Sequence, residues 1–346
     1  MKSLVFIIIL IFSLVLESFA QVGGNYIFNF IDMPATARIT GMGGNLIAFK
    51  DDDPGQASDN PSLLNPDMHR TVVMSYNKHF AGINNGFASY SFDNKIGTFN
   101  TAIKYIDYGS FREADAGNNE LGSFSANELM FVAGLGKQLD SSFSVGANLK
   151  FIYSNLYLYS SSGMALDLSA TYQISEVNFA VAILVKNMGF QFNPYIPGQQ
   201  EPLPFDVQMG LSKKFANMPF RFSLILHQLA KGKLTYPAID QNNSSSFGNE
   251  PSSTYSGNSF DNIIRHVIIG TEFIPSKNFN IRIAYNFQQR REMAYIEKGG
   301  AVGLSWGFGL RISKLHLSYA RSAYHLAGSP NHFTILTRFD DWKKKS

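Results

Sequence analysis

Runs of 9 to 13 residues in which apolar side chains alternate with small or polar ones constrain this chain more than any other feature. Phe279, Ile281, Ile283, Tyr285 and Phe287 share one face of such a run; Asn280, Arg282, Ala284, Asn286 and Gln288 share the other. Val302, Leu304, Trp306, Phe308, Leu310 and Ile312 alternate in the same way with Ala301, Gly303, Ser305, Gly307, Gly309 and Arg311. Period two marks a strand with one apolar face. The pattern predicts fourteen strands, at 72–80, 83–92, 97–107, 128–138, 143–155, 163–174, 177–187, 206–215, 219–229, 263–274, 279–289, 300–312, 314–323 and 331–339. They take up nearly half of the chain, about twice the usual strand share of roughly 20–25%.

Strand length separates the all-β alternatives. Sandwich strands usually run about 5–6 residues, whereas crossing a bilayer at about 45° of tilt takes about 9–11. The gaps alternate too: short turns such as 93–95, 139–142 and 275–278 face longer connections at 108–127, 188–205 and 230–262, with Ala81-Gly82 the one short gap on the long side. Lys104, Lys150, Asp167, Lys186, Arg221, Glu272, Arg282 and Arg311 all fall on the non-apolar face. A basic residue held against lipid at the midplane costs about 2–4 kcal/mol, so the segregation is what lipid outside and a polar lumen inside require. The expected fold is therefore all-β, a transmembrane antiparallel barrel of about fourteen strands with both barrel termini in the periplasm. In that setting an aromatic content of 14% beside only 16% charged residues, and a mean hydropathy of -0.06, average a greasy exterior with polar lumen and loops.

The ends read differently. Lys2, the apolar run Leu4 to Leu16 and Ser18-Phe19-Ala20 form an export signal over 1–20, with cleavage expected after Ala20. Residues 21–70 are polar and turn-rich, and are expected to fold back into the lumen as a plug ahead of a barrel over 71–339; 340–346 would be a periplasmic tail. Net charge is +3, with the terminal Lys343 to Lys345 as the longest basic run, so lipid and not nucleic acid is the expected environment.

Gly41-Met42-Gly43-Gly44 and Asn60-Pro61-Ser62-Leu63 resemble the plug region of FadL-like outer-membrane proteins, in which Asn-Pro-Ala is usual and Ser62 here replaces the alanine. With Asp51 to Asp53, Tyr105 to Phe111, Pro204-Phe205, Pro219-Phe220-Arg221, Arg265-His266 and Tyr285-Asn286, the chain is similar over nearly its full length to the PorQ family of the type IX secretion system. That resemblance implies a non-enzymatic role in the cell-surface attachment complex, holding a PorZ-like surface protein beside a PorV-like barrel and a PorU-like sortase. The alternative is a FadL-like transporter of hydrophobic small molecules, which needs an apolar pocket. The inward faces, dominated by Gly, Ser, Asn and charged residues with exceptions such as Met130, Val132 and Ile268, offer little such lining.

Catalytic signals are weak. There is no cysteine, which removes thiolate catalysis and Cys-based metal sites. Gly303-Leu304-Ser305-Trp306-Gly307 spells the hydrolase elbow, but it lies inside an alternating strand and not at the strand-to-helix turn that the chemistry needs. No catalytic, cofactor or metal residue is assigned. His227, His266 and His316 share the predicted lumen face and are expected to join a hydrogen-bond network; Asp51 to Asp53 are expected to form a solvated turn or to meet lumen arginines. The Asn-, Ser- and Gly-rich stretch 241–259 reads as an exposed loop.

Overall fold

The structure is a computed structural model that describes residues 26–234, 259–293, 300–324 and 328–342. The export signal, the lysines at 343–345 and almost all of the 241–259 loop lie outside the described residues. Fourteen strands form a closed antiparallel barrel in which each pairs with its sequence neighbours and the last returns to the first. They are β1 (Thr71–Lys78), β2 (Asn84–Asp93), β3 (Thr98–Ala114), β4 (Glu120–Gln138), β5 (Phe143–Leu156), β6 (Tyr159–Ile174), β7 (Phe179–Asn193), β8 (Asp206–Lys214), β9 (Phe220–Leu226), β10 (Val267–Ser276), β11 (Phe279–Asn286), β12 (Leu304–Ile312), β13 (Leu315–Ser322) and β14 (Asn331–Arg338). Closure runs from Thr71 opposite Arg338 to Lys78 opposite Asn331. No helix among the described residues is long and apolar enough to cross a membrane.

Every predicted strand is present, and the differences lie in their ends. The 108–127 stretch, expected as a long loop, is mostly strand: β3 and β4 run to 17 and 19 residues and meet at a short turn. Residues 156–162 likewise hold only a tight turn between β5 and β6. The opposite wall is lower, with 7 residues in β9 and 8 in β11, β13 and β14. The expected starts of β10 and β12 are not strand. A short helix, α2 (Ser259–Arg265), precedes β10, and positive φ at Gly300 and Gly303 turns the chain before β12.

At the end of the barrel that holds both barrel termini, side chains fix the turns. Asn94 accepts from the amides of Ile96 (2.8 Å) and Gly97, and Asp140 accepts from Ser142 (2.7 Å) and Phe143 (2.8 Å), the Asx geometry that reverses a chain in a few residues. The other end, the loop end, carries the 194–205 connection, α2 and α3 (Phe287–Met293).

Of the eight charged residues assigned to the inner face, Lys104, Lys150, Asp167, Lys186, Glu272 and Arg282 are buried inside, and Arg221 and Arg311 meet Asp51 and Asp52 of the luminal segment, while Phe131, Leu149, Phe151, Ile183, Ile283 and Phe308 are exposed on the outside. Lys150 and Phe151, adjacent in β5, are 1% and 42% exposed, which is period two expressed as burial. Phe151→Arg is expected to lower folding stability in lipid vesicles by about 2–4 kcal/mol, the cost of a midplane arginine. Urea titration in vesicles checks this, and a loss below about 1 kcal/mol would mean that the outer face does not meet lipid.

Residues 26–70 run through the lumen. Helix α1 (Ala37–Gly41) starts at Thr36, whose side chain accepts from the Ile39 amide, and ends at Gly43 (φ 89°) and Gly44 (φ 97°), where the left-handed backbone requires glycine. Three single turns follow, Pro54–Gln56, Pro61–Leu63 and Pro66–Met68. Each has proline at its first position and a capping Asp53, Asn60 or Asn65 that accepts an amide bond at 2.9–3.0 Å.

Candidate functional site

The luminal segment touches opposite walls through the two elements that the sequence singled out. Around Gly41 to Gly44, Met42 is buried against Gly270 of β10, the Gly43 carbonyl accepts from Asn286 (3.1 Å) and the Ala37 amide donates to Thr334 (2.8 Å). Across the barrel, Ser62 donates through its amide to Ser169 (2.9 Å), shares a hydroxyl bond with Thr171 (2.7 Å) and accepts at its carbonyl from Ser144 (2.8 Å). Asn60, besides capping Pro61–Leu63, donates to the Ile47 carbonyl (2.6 Å), which ties the two halves of the segment together. Leu63 is fully buried.

Charge reinforces the seat near the terminal end. Arg38 meets Asp51 at 2.6 Å, Asp53 at 3.2 Å and Glu272 of β10 at 3.4 Å. Arg221 of β9 bridges the same Asp51 (3.0 Å) and Glu272 (3.5 Å), and Arg282 of β11 holds Glu272 at 2.8 Å. Asp52 faces Arg311 at 3.0 Å. Both Arg38 and Arg221 also lie over the Phe49 ring, at 5.5 and 4.7 Å. The three consecutive aspartates thus turn to the lumen arginines, one of the two arrangements expected for them.

A second node rests on an irregularity that alternation could not announce. The β6–β7 register shifts between Leu166 and Leu168, and Asn187 adopts a left-handed backbone (φ 59°). This bulge turns Lys186 and Asn187 inward together. Lys186 reaches Asp59 (3.0 Å) and Asp32 (3.3 Å); Asn187 donates to Asp32 (2.9 Å) and accepts from Lys150, which is itself paired with Asp167 at 2.6 Å.

Burial opposes ionisation of Asp51, but Arg38 and Arg221 outweigh it and hold that carboxyl well below the ordinary range; Lys186, Lys104 and Lys150 do the same for Asp59. A carboxyl depressed on docking adds stability above its unfolded value and loses it as pH falls through the docked value. Thermal unfolding in detergent is therefore expected to keep these contributions from pH 7 to about pH 5 and to lose them only below the ordinary 3.8. A drop already complete at about pH 5 would contradict the pairing.

Above these nodes the segment leaves a cavity of about 500 Å³ at the loop end. Its floor is Phe30, Met33 and Pro34; its walls include Asn77, His332, Asp206, Gln208 and His227, and Gln289 and Glu292 of α3 reach over it. The expectation of little apolar lining needs correcting. Val73, Phe87, Ile106, Met130, Val132 and Ile152 form an inward apolar stripe, but Phe28, Phe30 and Ile31 of the luminal segment pack within the same cluster and cover it.

Of the three histidines expected to join, two do and the third does not. His227 and His266 are neighbours, with His266 Nδ1 2.8 Å from the His227 carbonyl, whereas His316 lies near the terminal end beside the arginines. The strand pattern gave their radial direction and not their height. His332 and Asn77, which line the cavity, were missed; each sits on the inward parity of a predicted strand, which was the available signal. Ser305 is buried and hydrogen-bonds Ser322 at 2.9 Å within a flat strand pair, which is not the exposed turn of a hydrolase nucleophile.

No protein-family model and no curated protein matches the chain. Among solved structures, the toluene transporter TodX of Pseudomonas putida matches with a TM-score of 0.51 at 11% identity, over 90% of this chain and 98% of that one. A FadL homologue of Pseudomonas aeruginosa matches at 10% identity over 88% of this chain and 98% of its own, with a TM-score of 0.48. The first of these shows that the chain shares the FadL-like barrel fold.

Proposed function

We propose that the chain is an outer-membrane transporter: a barrel whose luminal segment is a plug controlling the passage of small molecules. The observation that carries this reading is the cavity of about 500 Å³ between plug and loops. A barrel serving only as an anchor has no use for such a space, while a ligand pocket of about 300–1,000 Å³ is the common size for a small-molecule site. The fold shared with a toluene transporter supports the same role and an outer-membrane location, with the loop end outward and the terminal end in the periplasm. Ion pairs between plug and wall fit a gate, because they are satisfied in the closed state and specify one seating of the plug.

The attachment role that the sequence resemblance implies, with PorZ-like, PorV-like and PorU-like partners, draws no support from these comparisons. Osmotic swelling of proteoliposomes tests the transporter. Vesicles holding the full chain are expected to swell faster than empty ones in iso-osmotic solutions of small solutes, and the rate should fall as solute size rises. Swelling no faster than that of empty vesicles for every solute, together with loss of surface-anchored cargo when the gene is deleted, would sink it in favour of attachment.

A further inference from the structure

Polar side chains line the cavity on opposing walls. Asn77 and His332 on β1 and β14, and Asp206, Gln208 and His227 at β8 and the end of β9, line it, with Gln289 of α3 above, and each has a buried polar atom with no hydrogen-bond partner among the described residues. Asn77, Gln208, His227 and His332 are each 2–4% exposed, so bulk water does not reach them freely. Buried polar groups in folded proteins nearly always have partners, so side chains of this kind around one cavity favour an occupant, water or solute, with complementary groups. Their distribution matters as much as their number. Asn77 and His332 are cross-strand partners, and Asp206 and Gln208 lie seven strands round the barrel, so one cavity presents two polar clusters on opposing walls.

The chemistry narrows the occupant. Three of these atoms are carbonyl or carboxylate oxygens, which only accept, and the two imidazole nitrogens accept or donate according to tautomer. An occupant that satisfies both walls must bring several donors spread over its length. The charged lining groups among the described residues are Asp32, Asp206 and Glu292 against Lys186, and Lys186 is already engaged by Asp32 and Asp59. A carboxylate or phosphate would meet an excess of like charge. A hydrocarbon would offer these groups no hydrogen bond. Phe30, Met33 and Pro34 at the floor suit the apolar face of a ring.

We infer that the cavity is a binding site for a neutral polyhydroxyl solute of about disaccharide size. The inference rests on the transporter reading and gives it a substrate class, one opposite in polarity to the toluene of the structural neighbour. Maltose is the probe, with the full chain held in lauryldimethylamine oxide so that no detergent headgroup mimics a sugar. Saturation-transfer NMR and calorimetry are expected to show saturable maltose binding that saturating toluene does not displace. Asn77→Leu and Gln208→Leu, on opposite walls and each checked for an unboiled mobility shift on SDS gels, are each expected to weaken it at least tenfold. Absence of saturable binding to the unmodified chain, displacement by toluene, or affinity unchanged in both variants would overturn the assignment. Swelling assays keep the two readings apart: permeation without maltose binding sinks only the polyol site, and maltose binding without permeation of any solute sinks only the transporter.

Discussion

Glu272→Ala is expected to cost about 3–5 kcal/mol, since it removes one charge from a buried network and leaves its partners uncompensated. Glu272 is 1% exposed and faces Arg38, Arg221 and Arg282. Arg38 keeps Asp51 and Asp53, and Arg221 keeps Asp51, but Arg282, fully buried, loses the carboxylate it holds at 2.8 Å. The loss should appear as a lower unfolding midpoint in detergent and as faster solute entry into proteoliposomes, because the same carboxylate joins wall to plug. A double-mutant cycle identifies the cause. Glu272→Leu combined with Arg282→Met removes both members of the tightest pair and should recover most of the stability, since replacing a buried pair by apolar groups of similar volume is often near neutral. If the double variant is as unstable as the sum of its parts, the uncompensated arginine is not the cause.

That network shows what a sequence of this kind discloses and what it withholds. Alternation placed Arg221, Glu272, Arg282 and Arg311 on the inner face, and there they meet the luminal segment or one another, because lipid outside enforces the pattern residue by residue. Where lipid no longer enforces it, the pattern blurs. The upper halves of β3 and β4 rise as a paired hairpin, with Phe111 stacked on Phe124 at 5.3 Å, but Arg112, Glu113 and Glu120 break the apolar alternation and made the stretch resemble a loop. Height was illegible for the same reason that His316 parted from His227 and His266: periodicity reports which way a side chain points, while depth depends on turn positions and strand tilt. The bulge at Asn187 was illegible too, since a single extra residue leaves no mark beyond one disturbed alternation, yet it turns two consecutive side chains toward the plug. The plug elements were visible as Asn-Pro and Gly-rich turns, but their partners, spread over strands far apart in sequence, were not.

Gly146→Val is expected to unseat the plug while leaving the barrel intact. Gly146 and Gly136 are cross-strand partners on β5 and β4, and Ser169 of β6 lies on the other side of Gly146, so three small residues in a row make a flat seat for the turn that Asn60 caps. A Cβ on Gly146 would lie 2.3 Å from the Pro61 carbonyl carbon and 2.4 Å from the Ser62 nitrogen. Both are backbone atoms in a turn fixed by proline and by three side chains of the wall, so no rotamer change relieves the clash and the turn itself must lift away. Lifting it breaks the Ser62 bonds to Ser144, Ser169 and Thr171. Overpacking of this kind costs about 1–3 kcal/mol, small beside the pairing of a fourteen-strand barrel, so the variant should still fold and still change its gel mobility on boiling. Solute entry into proteoliposomes should rise several-fold, and the rise should be greatest for solutes near the size limit of the unmodified chain. Gly86→Ala is the matched control, since a Cβ there meets nothing within 4 Å and should leave entry unchanged. The comparison separates gating from general loosening: Glu272→Ala perturbs charge and stability together, whereas Gly146→Val acts by volume at a seat whose wall partners, Ser144, Ser169 and Thr171, are uncharged. If both variants open the lumen, the plug is the barrier; if only Glu272→Ala does, the leak comes from the weakened wall.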